Sequence, residues 1–335
     1  MNWRRWLLII LVISFFIFVL TQRQELAVLL QTLSQGRYLF LIAVFIYQTA
    51  QYFIYSYAYQ LAFEIVGVKS RLLDLVPVIF ASAFINNIAP AGGFGGAALL
   101  VDDAVLRGQS GVRAAVGVLL ATFWETIVVL PYLILGLTSL LAIRQILLYQ
   151  ILAFAFYIIF VLILLTALLL GRWAPEFLTG VFIFLETQIN RLSNLLIKRD
   201  LLAPQWAVNN AVEFIDASLV LTRYPREVSL VALYVFGSVT LNLLSLFFTF
   251  LAFGETLSLS ALTAGYTLGY VFAVISFLPF DAALMQAIMI LVYDSLGISP
   301  STALAAVLVF GGISSWLPIL IGFIFLTQVR SFRGK

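Results

Sequence analysis

Two carboxylates, Glu125 and Asp281, stand inside long apolar runs. An ionisable group at that depth marks a candidate functional site, because leaving it buried and unpaired is costly. Glu125 follows Arg107 and Arg113, and at a rise of about 1.5 Å per residue Arg113 is roughly 18 Å away along the helix, too far to pair with it. Asp281 stands just after Pro279 in "LPFDAALMQ", with Gln286 closing that stretch. Asp102 and Asp103 lie beside Arg107, where a solvated interfacial pair is the alternative reading.

A second set of residues breaks an apolar stretch outright. "INNIAPAGGFGG" carries Asn86, Asn87, Pro90, Gly92, Gly93, Gly95 and Gly96. Non-helical backbone at membrane depth leaves N–H and C=O groups unpaired unless it is buried in protein or lines a wet cavity, so an interior location is expected. Pro90 ends one arm and the glycines open conformations closed to other residues. The N–H groups opening the second arm, with the helix dipole, are suited to an anion such as a phosphate headgroup. Close crossing of two hairpins is the other reading.

Polar stripes complete the set. Gln48, Gln51, Tyr52, Tyr55 and Tyr59 fall on or near one face of a helix predicted over Tyr38–Phe63. Ser238, Asn242, Ser245 and Thr249 form a similar stripe on a later helix. Two such stripes can wall a common cavity or simply bond helices together.

Catalytic templates are missing. With no histidine and no cysteine, imidazole acid–base chemistry, thiol chemistry, disulfides and Cys/His metal sites are excluded. There is no phosphate loop, no nucleotide-binding glycine fingerprint and no acidic cluster spaced for a metal. A non-enzymatic protein without cofactor is expected, and a net charge of +3 gives no reason to expect nucleic acid.

The elements that must position these residues follow from composition. The chain has 335 residues, 63% hydrophobic and only 10% charged, against about a quarter charged in a soluble domain. An all-α, polytopic membrane bundle is expected. Apolar helices are predicted at Trp6–Leu20, Tyr38–Phe63, Ala114–Ala142, Ile146–Leu170, Ser229–Ala252 and Thr302–Thr327. Arg4 and Arg5 precede the first; without a small-residue cleavage site it reads as an uncleaved anchor rather than a signal peptide. Two further stretches, near Leu75–Leu106 and Ala264–Ser295, are broken by "APAGGFGG" and "LPFDAA". Arms of about 20 Å suit re-entrant hairpins better than full crossings.

Lys69 and Arg71 precede the first broken stretch, Arg107 and Arg113 follow it, and no Lys or Arg falls between Arg226 and Arg330. The positive-inside rule then places the first hairpin on the cytoplasmic side, the second on the outer side, and both termini in the cytoplasm. Sliding the chain by 189 residues superposes Pro90 on Pro279, Gly108 on Gly297 and Ser110 on Ser299, and carries Tyr38–Phe63 onto Glu227–Ala252. An inverted repeat is expected, chance recurrence being the alternative. The organisation read from this is a single transmembrane domain: 1–37 an anchor helix and outer loop, 38–170 the first repeat with an extra helix, 171–227 a cytoplasmic amphipathic linker of two interfacial helices, and 228–335 the second repeat.

"INNIAPAGGFGGAALL…LRGQSGVRAAVGVLL" and "LGISPSTALAAVLVFGGISSWLPILIGF" resemble the lysylphosphatidylglycerol synthase transmembrane (flippase-like) family of bacterial and archaeal membrane proteins, over roughly Tyr38 to Phe325. The resemblance implies flipping of a phospholipid or lipid-linked polyprenyl sugar in the plasma membrane. None of these 335 residues is expected to form the soluble aminoacyl-transferase domain of the family's full-length synthases, so lysylation of lipid by them is not expected. Gln286 stands where the family has Glu in its second hairpin, Ala121-Thr122 where it has a Glu-Arg pair, and Gly311 or Gly312 where its last helix has arginine. A lipid substrate is the expected partner. The alternatives are a scaffold for a glycosyltransferase or lipid-synthesis enzyme and an ion-coupled transporter of the DedA-like type.

Overall fold

A computed structural model describes residues 3–88, 94–142, 148–276, 281–326 and 328–331. The described residues form helices and no strand: α1 Trp3–Thr21, α2 Arg23–Gln35, α3 Tyr38–Ile65, α4 Leu72–Ile88, α5 Phe94–Leu106, α6 Gly111–Ala142, α7 Leu148–Trp173, α8 Pro175–Ile197, α9 Trp206–Arg223, α10 Pro225–Ala252, α11 Leu259–Ser276, α12 Asp281–Ser295 and α13 Pro300–Leu326. Helices α3, α6, α7, α10 and α13 are long and apolar enough to cross a membrane, since about 20 residues span the hydrocarbon core. In lipid every backbone polar group must be satisfied within the protein, which the helix does locally.

The broken stretches give two helix pairs, α4 with α5 and α11 with α12. Their first arms, of 17 and 18 residues, start earlier and run longer than the sequence pattern indicates. Residues 89–93 and 277–280, which hold both breaks, lie outside the described residues. Residues 23–35, read as an outer loop, form α2 instead; Leu29 gives that helix a buried anchor against Gly312 of α13.

Helices α3 and α10 lie along one another at the centre. Around them, α4 packs on α13 and α11 on α6, while α5 packs on α6 and α12 on α13. These four contacts form two matching pairs. Glycines set the two crossings: a Cβ on Gly136 would come within 2.6 Å of the Ala264 backbone, and one on Gly322 within 2.2 Å of the Phe80 carbonyl.

The turns correspond too. After α3, the N–H groups of Gly67 and Val68 return to Glu64 and Phe63; after α10, those of Gly254 and Glu255 return to Leu251 and Phe250. Gly108 and Gly297 close α5 and α12 with the same pair of bonds. All four glycines have positive φ, between 75° and 84°, the left-handed termination that a Cβ would penalise. Gly108 and Gly297 are 189 residues apart, but Gly67 and Gly254 are 187 apart. The single interval drawn from the sequence therefore fails for α3 and α10, because the second broken stretch is two residues longer.

The linker forms α8 and α9 as the apolar spacing predicts, but the two differ in setting. Helix α9 is packed against α6 and α7, burying Ala207, Ala211, Ala217, Ser218 and Leu221. Only α8 remains at the edge of the molecule.

Candidate functional site

A cavity of about 220 Å³ opens between the first helix pair and the walls of α3 and α6. The three-and-four spacing of Tyr52, Tyr55 and Tyr59 puts their rings on one face of α3. Thr122 and Glu125 come from α6, Ser82 and Asn86 from α4, Gly96 and Leu100 from α5. Glu125 is the only charged group among the described residues lining this space. Its Oε2 accepts a 2.6 Å hydrogen bond from the Tyr55 hydroxyl. Tyr59 stands 3.5 Å from Tyr55, hydroxyl to hydroxyl, and the Tyr52 ring stacks on Phe80 at 4.7 Å.

A group of rings begins beside Thr126, the residue after Glu125: Tyr157 meets Tyr270 edge-on at 6.4 Å, and Tyr270 stacks on Tyr266 at 6.3 Å. Tyr157 is buried and donates to the Thr126 carbonyl at 2.8 Å. These tyrosines were missed from sequence because aromatic residues in apolar runs read as core; their spacing carries no sign of a shared centre.

The helix pair closes around Gly96. Its N–H donates to Asn86 Oδ1 at 2.8 Å, and its carbonyl accepts from Ser82 Oγ at 2.9 Å. A Cβ there would come within 2.8 Å of the Asn86 amide and the Ser82 carbonyl. Gly96 thus serves close crossing, and its N–H is not open to an anion, which corrects the phosphate reading at this position. Gly95 begins the same helix, partly exposed. Pro90, Gly92 and Gly93 lie outside the described residues, as does Pro279.

The other sequence candidates fall elsewhere. Asn87 bonds its own helix at the Ala83 carbonyl. Gln48 is buried outside the cavity and donates through Nε2 to Asn242 Oδ1 and to Ser314 Oγ, both at 2.9 Å. Asn242 in turn donates to the Tyr266 hydroxyl at 3.2 Å. The two polar stripes therefore meet, but as a bonded bridge rather than as facing walls. Ser314 belongs to this bridge and was not legible in a run of small and apolar residues.

Arg107 pairs with Asp103 at 2.9 Å, its Nη1 donating to the Lys69 carbonyl. Burial pushes the Asp103 carboxyl above the usual carboxylate range, while Arg107 and Arg330 pull it down. Asp102 accepts from Ser331 Oγ, tying the chain's tail to α5. Arg113 donates to the Val66 carbonyl at the end of α3. These four residues brace the exit of the helix pair and do not line the cavity. The side chain of Asp281, the first residue of α12, lies outside the described residues.

Gln286 packs its amide onto Gly311 of α13, where a Cβ would lie 2.4 Å from Nε2. Met285 and Met289 fill the space over Gly269 of α11 in the same way. Among the described residues the second helix pair is thus filled at these two crossings.

Five apolar helices long enough to cross a bilayer, and a cavity between α3, α4, α5 and α6 with a single carboxylate among its described lining, define a multi-pass membrane protein with an internal acidic site. The chain belongs to the lysylphosphatidylglycerol synthase TM region family, whose profile matches residues 6–322. This places it among membrane proteins that act on lipids. No curated protein and no solved structure matches the chain.

Proposed function

We propose that this protein moves a phospholipid or a lipid-linked sugar between leaflets, its polar headgroup passing through the cavity at Glu125. The observation that carries the reading is the cavity itself: hydroxyl, amide and carboxylate groups gathered among helices whose outer faces are apolar. Polar groups are rare at membrane depth and concentrate where substrates or ions pass. Without a lining Lys or Arg, the site holds the hydroxyl-bearing part of a headgroup in preference to its phosphate. The cavity offers positioning and passage, with no chemical step of its own.

The matching turns and the reciprocal packing of α4 on α13 and α11 on α6 support an inverted repeat, the arrangement in which broken helices flank a central site. On that reading the two helix pairs are re-entrant hairpins. The basic loops support cytoplasmic termini, and a prokaryotic plasma membrane is part of the same proposal.

The test is reconstitution. Proteoliposomes containing a fluorescent phospholipid or a labelled polyprenyl-linked sugar should show transfer that Glu125→Gln slows at least about tenfold, a loss of about 1.4 kcal/mol. Transfer at the normal rate in that variant would remove the site from the pathway.

A scaffold for a glycosyltransferase or lipid-modifying enzyme is the second reading, favoured by the filled second pair at Gln286, Met285 and Met289. Stable copurification of such an enzyme, with no transfer by the isolated protein, would establish it instead.

A further inference from the structure

We propose that the outward face of α8 is a docking surface for an anionic lipid leaflet, immersed among headgroups and upper acyl chains. The helix is built inside out. Its protein-facing side carries the polar groups: Glu186 accepts from the Ala207 N–H at 2.6 Å, Asn190 bonds both the N–H and the carbonyl of Leu202, and Ser193 donates to the Arg199 carbonyl. Phe182 packs with Trp206 and Phe214 of α9 on the same side.

The outward side is mainly apolar, with the uncharged Gln188 in its middle. Phe177, Phe184, Leu192 and Leu195 lie along one stripe at helical spacing, exposed by 64%, 61%, 60% and 76%, whereas Leu178 on the inner side is 4% exposed. A third, polar face carries Glu176, Gly180 and Asn194, all exposed. A helix with one protein face, one apolar face and one polar face sits at a boundary among protein, acyl chain and water.

Two observations choose lipid as the occupant. First, α7 is a membrane-crossing candidate that ends at Trp173, and only Ala174 separates it from α8, so α8 starts at the membrane surface. Phe156, Ile159 and Ile163 of α7 are likewise exposed apolar side chains. Second, Arg172, Arg191, Lys198 and Arg199 accompany the stripe, the charge complement of anionic headgroups. The leaflet then holds α9 through α8. Glu213 of α9 accepts from Ser110 Oγ at 2.6 Å, and Ser110 caps α6, the helix that carries Glu125.

The surface can be read without any transport assay, because the native chain has no cysteine. Leu192→Cys on the apolar stripe and Glu176→Cys on the polar face are each labelled with an environment-sensitive fluorophore in full-length protein. Both are reconstituted in phosphatidylcholine vesicles with and without phosphatidylglycerol. Brominated acyl chains should quench the probe at 192 about threefold more than the probe at 176, and aqueous iodide should show the reverse order. Phosphatidylglycerol should strengthen the contrast, and Arg191→Ser with Lys198→Ser should weaken that dependence. Equal access of iodide to both probes would overturn the proposal. So would shielding of the 192 probe from both quenchers, which would mark contact with a second copy of the chain. Failure of lipid transfer would leave either result unchanged.

Discussion

Ser314 stands in α13 at the same 189-residue interval from Glu125 that separates Gly297 from Gly108, and both side chains bond to α3. Glu125 takes its bond from Tyr55, and Ser314 from Gln48. At the 187-residue interval that relates α3 to α10, Tyr55 corresponds to Asn242, the other partner of Gln48. On the proposed repeat these are one polar position, acidic and open to the cavity in the first half, neutral and bridged in the second.

Tyr55→Phe should slow lipid transfer in proteoliposomes more than Tyr52→Phe. The first removes the hydroxyl that bonds the Glu125 side chain, a loss of about 1 kcal/mol. The second keeps the ring stacked on Phe80 and gives up no bond to Glu125. Transfer rates for the two variants, measured side by side, check the order.

Gln48→Leu should lower stability by about 1–3 kcal/mol, because it strips a partner from the Asn242 carbonyl inside the bundle. Ser314 keeps its bond to the Phe310 carbonyl and adds little to the loss. A thermal melt in detergent, scored by the remaining folded fraction, reads the difference.

Two glycine substitutions should separate backbone from side-chain clashes. Gly322→Ala places a Cβ 2.2 Å from the Phe80 carbonyl, which cannot turn aside, so α13 and α4 must part. A cost of about 1–3 kcal/mol follows. Gly311→Ala meets the Gln286 side chain as far in as Cγ, which can turn aside where a carbonyl cannot, and should lower the melting temperature less than Gly322→Ala.

Asp103→Asn should be destabilising by about 3–5 kcal/mol, because it leaves the Arg107 guanidinium buried without its counter-charge. The two side chains are 4% and 7% exposed, so water does little to compensate. The double variant Asp103→Leu with Arg107→Met should recover most of the loss in the same melt.

The crossing helices were legible because long apolar runs have one stable form in lipid, and the breaks because proline and glycine end helices. Helix α2 was not, since a short amphipathic segment between two apolar runs has the composition of a loop until Leu29 finds Gly312. Glu125 stood out because a carboxylate is conspicuous among apolar residues. Its surroundings did not: Tyr157, Tyr266 and Ser314 come from three other helices, and helical spacing identifies a face without naming its partner. The role of Gly96 was open between binding and crossing, and the side chains of Asn86 and Ser82 decided it.

Helices α3 and α10 touch along their lengths and are pinned part-way by Gln48 and Asn242. Sliding one past the other would drive every ridge across a groove and break the pin, whereas rocking leaves the pin in place. The pair therefore forms a fulcrum. Rocking about that pin is the motion left to the face of α3 that carries Tyr52, Tyr55 and Tyr59 beside Glu125.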